Sequence, residues 1–226
     1  MDRNEIKEIN FLDVINKPLT ELAIKSDEEV AEYDRKLEEQ RKQSNYENSG
    51  VGYKYWNKRL ADYETVTDEQ KRNMEKAKNF IEAVNRGECK TLWMCGKSGT
   101  GKTLLASLII RECGGKFAKS YQIADEIEDS RSFSSKESKS GLIKRYSEYK
   151  LLVIDEIGKF ENKQGTELEY LFRILNERYE KENSTIIITN KTKGELKEYL
   201  GIPLYDRFVE NCTSLTFSGE SHRKSA

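Results

Sequence analysis

Histidine is almost missing from this sequence: His222 is the only one among 226 residues. That scarcity removes His-based metal centres and nucleophile–histidine triads from consideration. The four cysteines, Cys89, Cys95, Cys113 and Cys212, never fall into a C-x-x-C pair, which argues against zinc, and two of them fall in or beside apolar stretches where a reduced thiol packs as a small hydrophobe. Only two prolines occur, which favours a helical, well-solvated surface over a loop-rich one. No apolar run approaches the roughly 18 residues of a membrane span, and Met1 to Phe11 is charged where a leader peptide would be apolar. A cytoplasmic location fits all of this. Charge of one sign is lacking too: 39 Lys plus Arg stand against 40 Asp plus Glu, a formal net charge of −1. No global positive field therefore advertises nucleic acid, and any DNA contact must be local.

What the chain does have is 35% charged residues and a length suited to one α/β domain with a smaller attachment. Ser26 to about Asn45 starts with a Ser N-cap and an acidic first turn and ends basic, the pattern of a helix. Its apolar stripe is thin, only Val30, Ala31, Tyr33 and Leu37, and reads equally as a partner-binding arm or as a solvated helix tethered to the main domain. Asn48 to Lys54 breaks the pattern with two glycines and reads as a linker, which places a helical arm over 1–48 and the main domain over 49–226. Thr67 to Arg86 carries apolar residues at helical spacing and is closed by Gly87.

From there the chain alternates in the manner of a parallel sheet with crossover helices. Strands are expected at Thr91 to Cys95, Phe117 to Gln122, Leu151 to Ile154, Thr185 to Thr189 and Ser214 to Phe217. Helices are expected at Lys102 to Cys113, up to Tyr149, at Thr166 to Lys181 and at Lys193 to Leu200. The fold class is therefore α/β, a parallel sheet flanked by helices. Ser130 to Ser140 is polar and of low complexity and reads as a surface loop.

Gly96-Lys97-Ser98-Gly99-Thr100-Gly101-Lys102-Thr103 fits G-x-x-x-x-G-K-[ST] between an apolar strand and an apolar helix that continues with Leu104. The glycines let successive N–H groups face phosphates, and the helix N-terminus adds its positive end. Lys102 reaches the β/γ-phosphates of ATP, and the Thr103 hydroxyl ligates Mg²⁺. Leu151 to Glu156 is a buried strand ending in two acids at the carboxyl edge of the sheet. Asp155 would hold the Mg²⁺ shell and Glu156 would orient the attacking water. Asn190, ending another β-branched strand, could reach the γ-phosphate, although asparagine also ends strands for turn reasons alone.

In order and spacing these motifs resemble the AAA+ ATPases, more narrowly the DnaC-type helicase loaders and the related IstB-type transposition ATPases. The narrower likeness lies in KLLVIDEIG (150–158), NERYEKENSTIIITN (176–190), LYDRF (204–208) and GESHR (219–223), and it covers about 49–223. Arg207 matches the arginine finger that such proteins place against a neighbour's γ-phosphate, which implies self-association in the presence of ATP. Arg223 matches a closing Arg that contacts nucleotide. The likeness also implies that no helical lid domain follows the ATPase core.

Between the second and third strands, loaders grip single-stranded DNA, and the corresponding stretch here holds Phe133, Lys136, Lys139, Lys144 and Arg145. Basic groups there would neutralise phosphates and an aromatic could stack on a base; a solvated polar loop is the alternative. The resemblance thus implies a slow ATPase that uses residues 1–48 to hold a hexameric replicative DNA helicase and loads it onto single-stranded DNA. An IstB-like helper acting on duplex DNA and a protein-only adaptor are the rival readings. The zinc-binding N-terminal domain of some loaders has no counterpart here.

Overall fold

The computed structural model describes residues 27–130, 137–159 and 164–222. Two compact units divide the chain between Gln40 and Arg41. The first is the leading part of helix α1 (Asp27–Asn48), where Val30, Tyr33 and Leu37 are all exposed, as so thin a stripe dictates. Ser26, the expected N-cap, lies outside the described residues.

The second unit is built on five parallel strands, β1 (Thr91–Gly96), β2 (Lys116–Lys119), β3 (Leu151–Asp155), β4 (Ser184–Thr189) and β5 (Cys212–Phe217), in the order β2-β3-β4-β1-β5. Every residue of β3 and β4 is buried, the continuous apolar burial expected of inner strands covered on both faces. Helices α2 (Asp68–Asn85) and α3 (Lys102–Cys113) share one core cluster with alternate strand residues such as Leu92, Met94, Val153 and Ile188. The opposite face packs α4 (Ser120–Asp129), α5 (Lys139–Glu148), α6 (Gln164–Glu180), α7 (Lys193–Leu200) and α8 (Ile202–Val209) over Trp93, Leu152, Ile154 and Ile187. The alternation follows from the two-residue period of a strand.

Three local features differ from the sequence-based expectation. Strand β2 ends at Lys119, not Gln122, because Gln122 folds back as the third residue of α4 and its Oε1 accepts from Lys119 N at 3.4 Å. Helix α8 was not expected; Gly201, with φ +75°, separates it from α7, and Pro203 sits in its first turn. The stretch Asn48 to Lys54 is a packed corner, not a slack tether. Tyr46 is fully buried beside it, Ser49 and Val51 are buried, and Phe117 N on the outer strand donates to Ser49 O at 2.7 Å. Arg111 on α3 ties this corner down, its guanidinium lying 4.9 Å from the centre of the Tyr46 ring and donating to Trp56 O at 3.0 Å and Gln43 Oε1 at 3.1 Å.

A second buried arginine closes the other side. Arg178 on α6 donates to Tyr146 O, Ser147 O, Tyr149 O, Ser184 O and Thr185 Oγ1, so one side chain satisfies the carbonyls of the turn into β3 and the start of β4. Burial pushes its pKa down to about 9, which leaves it charged at neutral pH.

Candidate functional site

Because all strands run parallel, the carboxyl ends of β1, β4 and β3 lie side by side, where open α/β sheets place ligands. The loop after β1 carries Gly96 to Gly101, and α3 begins at Lys102. Three glycines of that loop have a positive φ, Gly101 at +99° among them. Gly96 has φ +133°, and a Cβ there would stand 2.1 Å from Phe217 O on β5; Gly99 has φ +83°. Thr100 Oγ1 donates to Lys97 O at 2.8 Å, while Lys97 and Ser98 are exposed at the crest. Lys102 is buried and its ammonium donates to Gly96 O and Lys97 O, both at 2.6 Å, so the cation is held inside the curl of the loop.

Thr103 Oγ1 donates to Asp155 Oδ2 at 2.9 Å, and Glu156 N donates to Asp155 Oδ1 at 2.7 Å. Burial raises the Asp155 pKa, more than these two hydrogen bonds lower it. A buried carboxylate beside a threonine hydroxyl is a hard-oxygen pair that suits Mg²⁺. Among the described residues no group of three or more His, Cys, Asp or Glu is gathered for a metal.

Glu156 leaves the strand with φ +62°, a left-handed conformation rare for a residue with a side chain. Strain of this kind concentrates at functional sites. Lys159 Nζ donates to Glu156 Oε1 at 2.8 Å, and Lys119 Nζ stands 3.5 Å from Oε2, close enough for charge but without a hydrogen bond. Burial alone would raise this carboxyl; the Lys159 hydrogen bond and the two ammonium charges outweigh it, and the pKa is lowered. Oε2 is buried, with the Lys119 ammonium facing it.

These groups line a cleft of about 670 Å³, within the range of small-ligand sites. Ser98 to Leu104, Asp155, Glu156 and Asn190 all reach it. Tyr55, Lys58, Tyr63, Lys159, Lys191 and His222 line it as well and were not among the expected site residues. Lys159 was within reach of a spacing argument, three residues after Glu156; Lys119 and Tyr63 join the site only through strand order and packing.

Arg207 does not line this cleft. It is exposed near the start of β5, shares a hollow with Cys89, Thr91, Asn183 and Asn211, and its guanidinium lies 5.9 Å from the centre of the Tyr179 ring. Those neighbours mark the amino edge of the sheet, roughly 16 Å from the carboxyl edge at about 3.3 Å per strand residue. Of the basic groups expected on DNA, Arg145 is bonded to Glu126 and to Glu137 (2.7 Å). Lys139 pairs with Glu169 at 3.3 Å and covers Tyr170, and Lys144 pairs with Glu148 at 3.8 Å. Phe133, Lys136 and Arg223 lie outside the described residues.

A phosphate-binding loop after β1, an acidic pair after β3, a polar residue after β4 and this strand order define a P-loop nucleotide-binding protein of the AAA+ fold. Residues 20–226 match the model of the IstB-like ATP binding protein family, and the chain belongs to that family. The ATP-binding protein ascribed to insertion sequence IS232 of Bacillus thuringiensis subsp. berliner is 28% identical over 158 residues, 67% of this chain. The aligned part spans 62% of that relative's length.

Among solved structures the chain resembles the DnaC helicase loader (22% identity, 74% of this chain and 100% of that one, TM-score 0.65) and DnaI (17%, 81% and 100%, TM-score 0.66). It also resembles replication initiator DnaA bound to AMPPCP and single-stranded DNA (19%, 76% and 52%, TM-score 0.60). At these identities the likeness is one of fold. No helix among the described residues is long and apolar enough to cross a membrane.

Proposed function

We propose that the protein is a slow Mg²⁺-dependent ATPase that acts as a switch on DNA, loading a hexameric replicative helicase onto single strands. The observation that carries the enzymatic part is the cluster Lys102, Thr103, Asp155 and Glu156 around one cleft. Lys102 exchanges the loop carbonyls for the β/γ-phosphates, and the backbone N–H groups of 99–103 receive the remaining phosphate charge. Thr103 and Asp155 hold Mg²⁺, which when bound neutralises charge on the phosphoryl oxygens. Glu156 would orient the attacking water from the cleft wall, and Asn190, which lines the same cleft, would reach the γ-phosphate. Arg207, remote from its own cleft, serves that of a neighbouring copy.

The loader reading is supported by a fold that accounts for the whole of the DnaC and DnaI chains. A second reading, a transposition helper acting on duplex DNA, is favoured by the insertion-sequence relative. The exposed Lys144 is the described basic side chain of the α5 region most easily turned from its acid to a DNA phosphate.

Turnover of ATP by the purified protein, alone and with single-stranded or duplex DNA at fixed salt, tests both readings. Stimulation by single strands supports the loader, stimulation by duplex supports the helper, and no response to either refutes the DNA switch. Lys102→Ala is expected to lose nucleotide binding, whereas Glu156→Gln binds ATP and hydrolyses it at least ~100-fold more slowly. Equal binding by Lys102→Ala and wild type would sink the site assignment.

A further inference from the structure

After β5 the chain crosses the phosphate-binding loop, and it is fastened at each step. Phe217 stands in register with Gly96. Ser218 donates through both its backbone N, at 2.9 Å, and its hydroxyl to the Glu69 carboxylate in the first turn of α2. Ser221 lies so close to the loop that a Cβ on Gly99 would stand 2.1 Å from its Oγ. His222 N donates to Gly99 O at 2.9 Å, and His222 lines the cleft.

Nothing in hydrophobic burial accounts for this path, since every residue of 218–222 is exposed. Its contacts fall instead on the loop and on the helix beside the loop. A trans peptide points its C=O and its N–H in opposite directions. Anchoring Gly99 O to His222 N therefore turns the Thr100 N–H away from the closing segment, and a P-loop binds phosphate only with its N–H groups turned inward.

We propose that residues 218–222 are part of the nucleotide site: a clamp, with the His222 backbone as positioning group and Ser221 as its stop against Gly99, that holds the 99–100 peptide ready for the phosphates of a nucleoside di- or triphosphate. By linkage, bound nucleotide holds the clamp closed as firmly as the clamp holds nucleotide. The inference rests on the reading of the cleft as an ATP site.

The test compares ATP and ADP affinity, and melting without nucleotide, for His222→Pro, His222→Ala and Ser221→Leu in the full-length protein. Proline removes the N–H and alanine keeps it. His222→Pro is expected to weaken both nucleotides about tenfold, roughly 1.4 kcal/mol, and Ser221→Leu to weaken them in the same direction. His222→Ala stays within about twofold of wild type, and nucleotide-free melting of all three stays within about 2 °C, as for substitutions on an exposed segment. Unchanged affinity in His222→Pro overturns the clamp whatever Ser221→Leu shows. So does an equal loss in His222→Ala, which would move the effect to the imidazole, and so does a loss matched by an equal fall in nucleotide-free stability. Failure of wild type itself to bind ATP would overturn the reading of the cleft.

Discussion

At the scale of single residues, Glu156 departs from a free carboxylate in two ways: its backbone is left-handed and its side chain is flanked by Lys119 and Lys159. Both ammonium groups lower the basicity of the group proposed to polarise water, and general-base efficiency rises with basicity. Lys159→Ala is therefore expected to raise the basal hydrolysis rate about two- to fivefold with little change in ATP affinity, as read by kcat against Kd. A loss of affinity with no gain in rate would place Lys159 on the phosphates instead. The glycine loop and the Asp155–Glu156 pair were legible in the sequence because each is a short contiguous pattern whose residue types follow from phosphate and Mg²⁺ chemistry. Lys119 was not, because only the pairing of β2 with β3 carries it there.

Arg178 teaches the same lesson for stability. It sits in a charged stretch, Asn176 to Lys181, yet it is among the most deeply buried side chains. Replacing it with alanine removes the Arg178 donor from four backbone carbonyls, of which Ser147 O keeps a second donor, Asn183 Nδ2 at 2.9 Å. Each unsatisfied buried acceptor costs on the order of 1–3 kcal/mol, less whatever water recovers. Urea unfolding of Arg178→Ala is expected to show a loss of about 3 kcal/mol or more, with Arg178→Lys recovering only part because an ammonium lacks the planar fork.

At the scale of elements, α1 changes character along its length. Val30, Tyr33 and Leu37 are exposed, whereas Tyr46 is fully buried, with its hydroxyl 3.3 Å from Tyr55 O. Tyr46→Ala is expected to cost about 3 kcal/mol, the usual range for a large core truncation, while Leu37→Ser should stay within about 0.5 kcal/mol. Chemical denaturation of the two variants separates a core element from a solvated one. The period of α1 was visible in the sequence, but the point where it joins the core was not, since two glycines look alike in a slack linker and in a packed corner. Four of the five strands fell within about two residues of their expected ends because short runs of apolar and β-branched residues bounded by polar ones leave little choice. The short α8 escaped because eight residues with a proline in the first turn carry too little periodicity to separate a helix from a loop.

At the scale of the whole molecule, the parallel sheet sets its two edges to different work. The carboxyl edge holds the cleft, and the amino edge holds Arg207 beside Tyr179, whose hydroxyl donates to Glu210 at 2.6 Å. Separated by the length of a strand, Arg207 cannot reach a γ-phosphate bound in its own chain, so the proposed arginine role requires a second copy to present one. This makes complementation the decisive measurement. Arg207→Ala retains an intact cleft and Glu156→Gln retains an intact arginine, so each alone is expected to hydrolyse ATP at a small fraction of the wild-type rate. Mixed in equal amounts, they can form interfaces in which a working cleft faces a working arginine, and turnover should recover to at least severalfold above the sum of the separate proteins. If the rate of the mixture is only additive while both variants bind ATP normally, Arg207 does not act across an interface, and the sheet's amino edge must serve the partner protein instead.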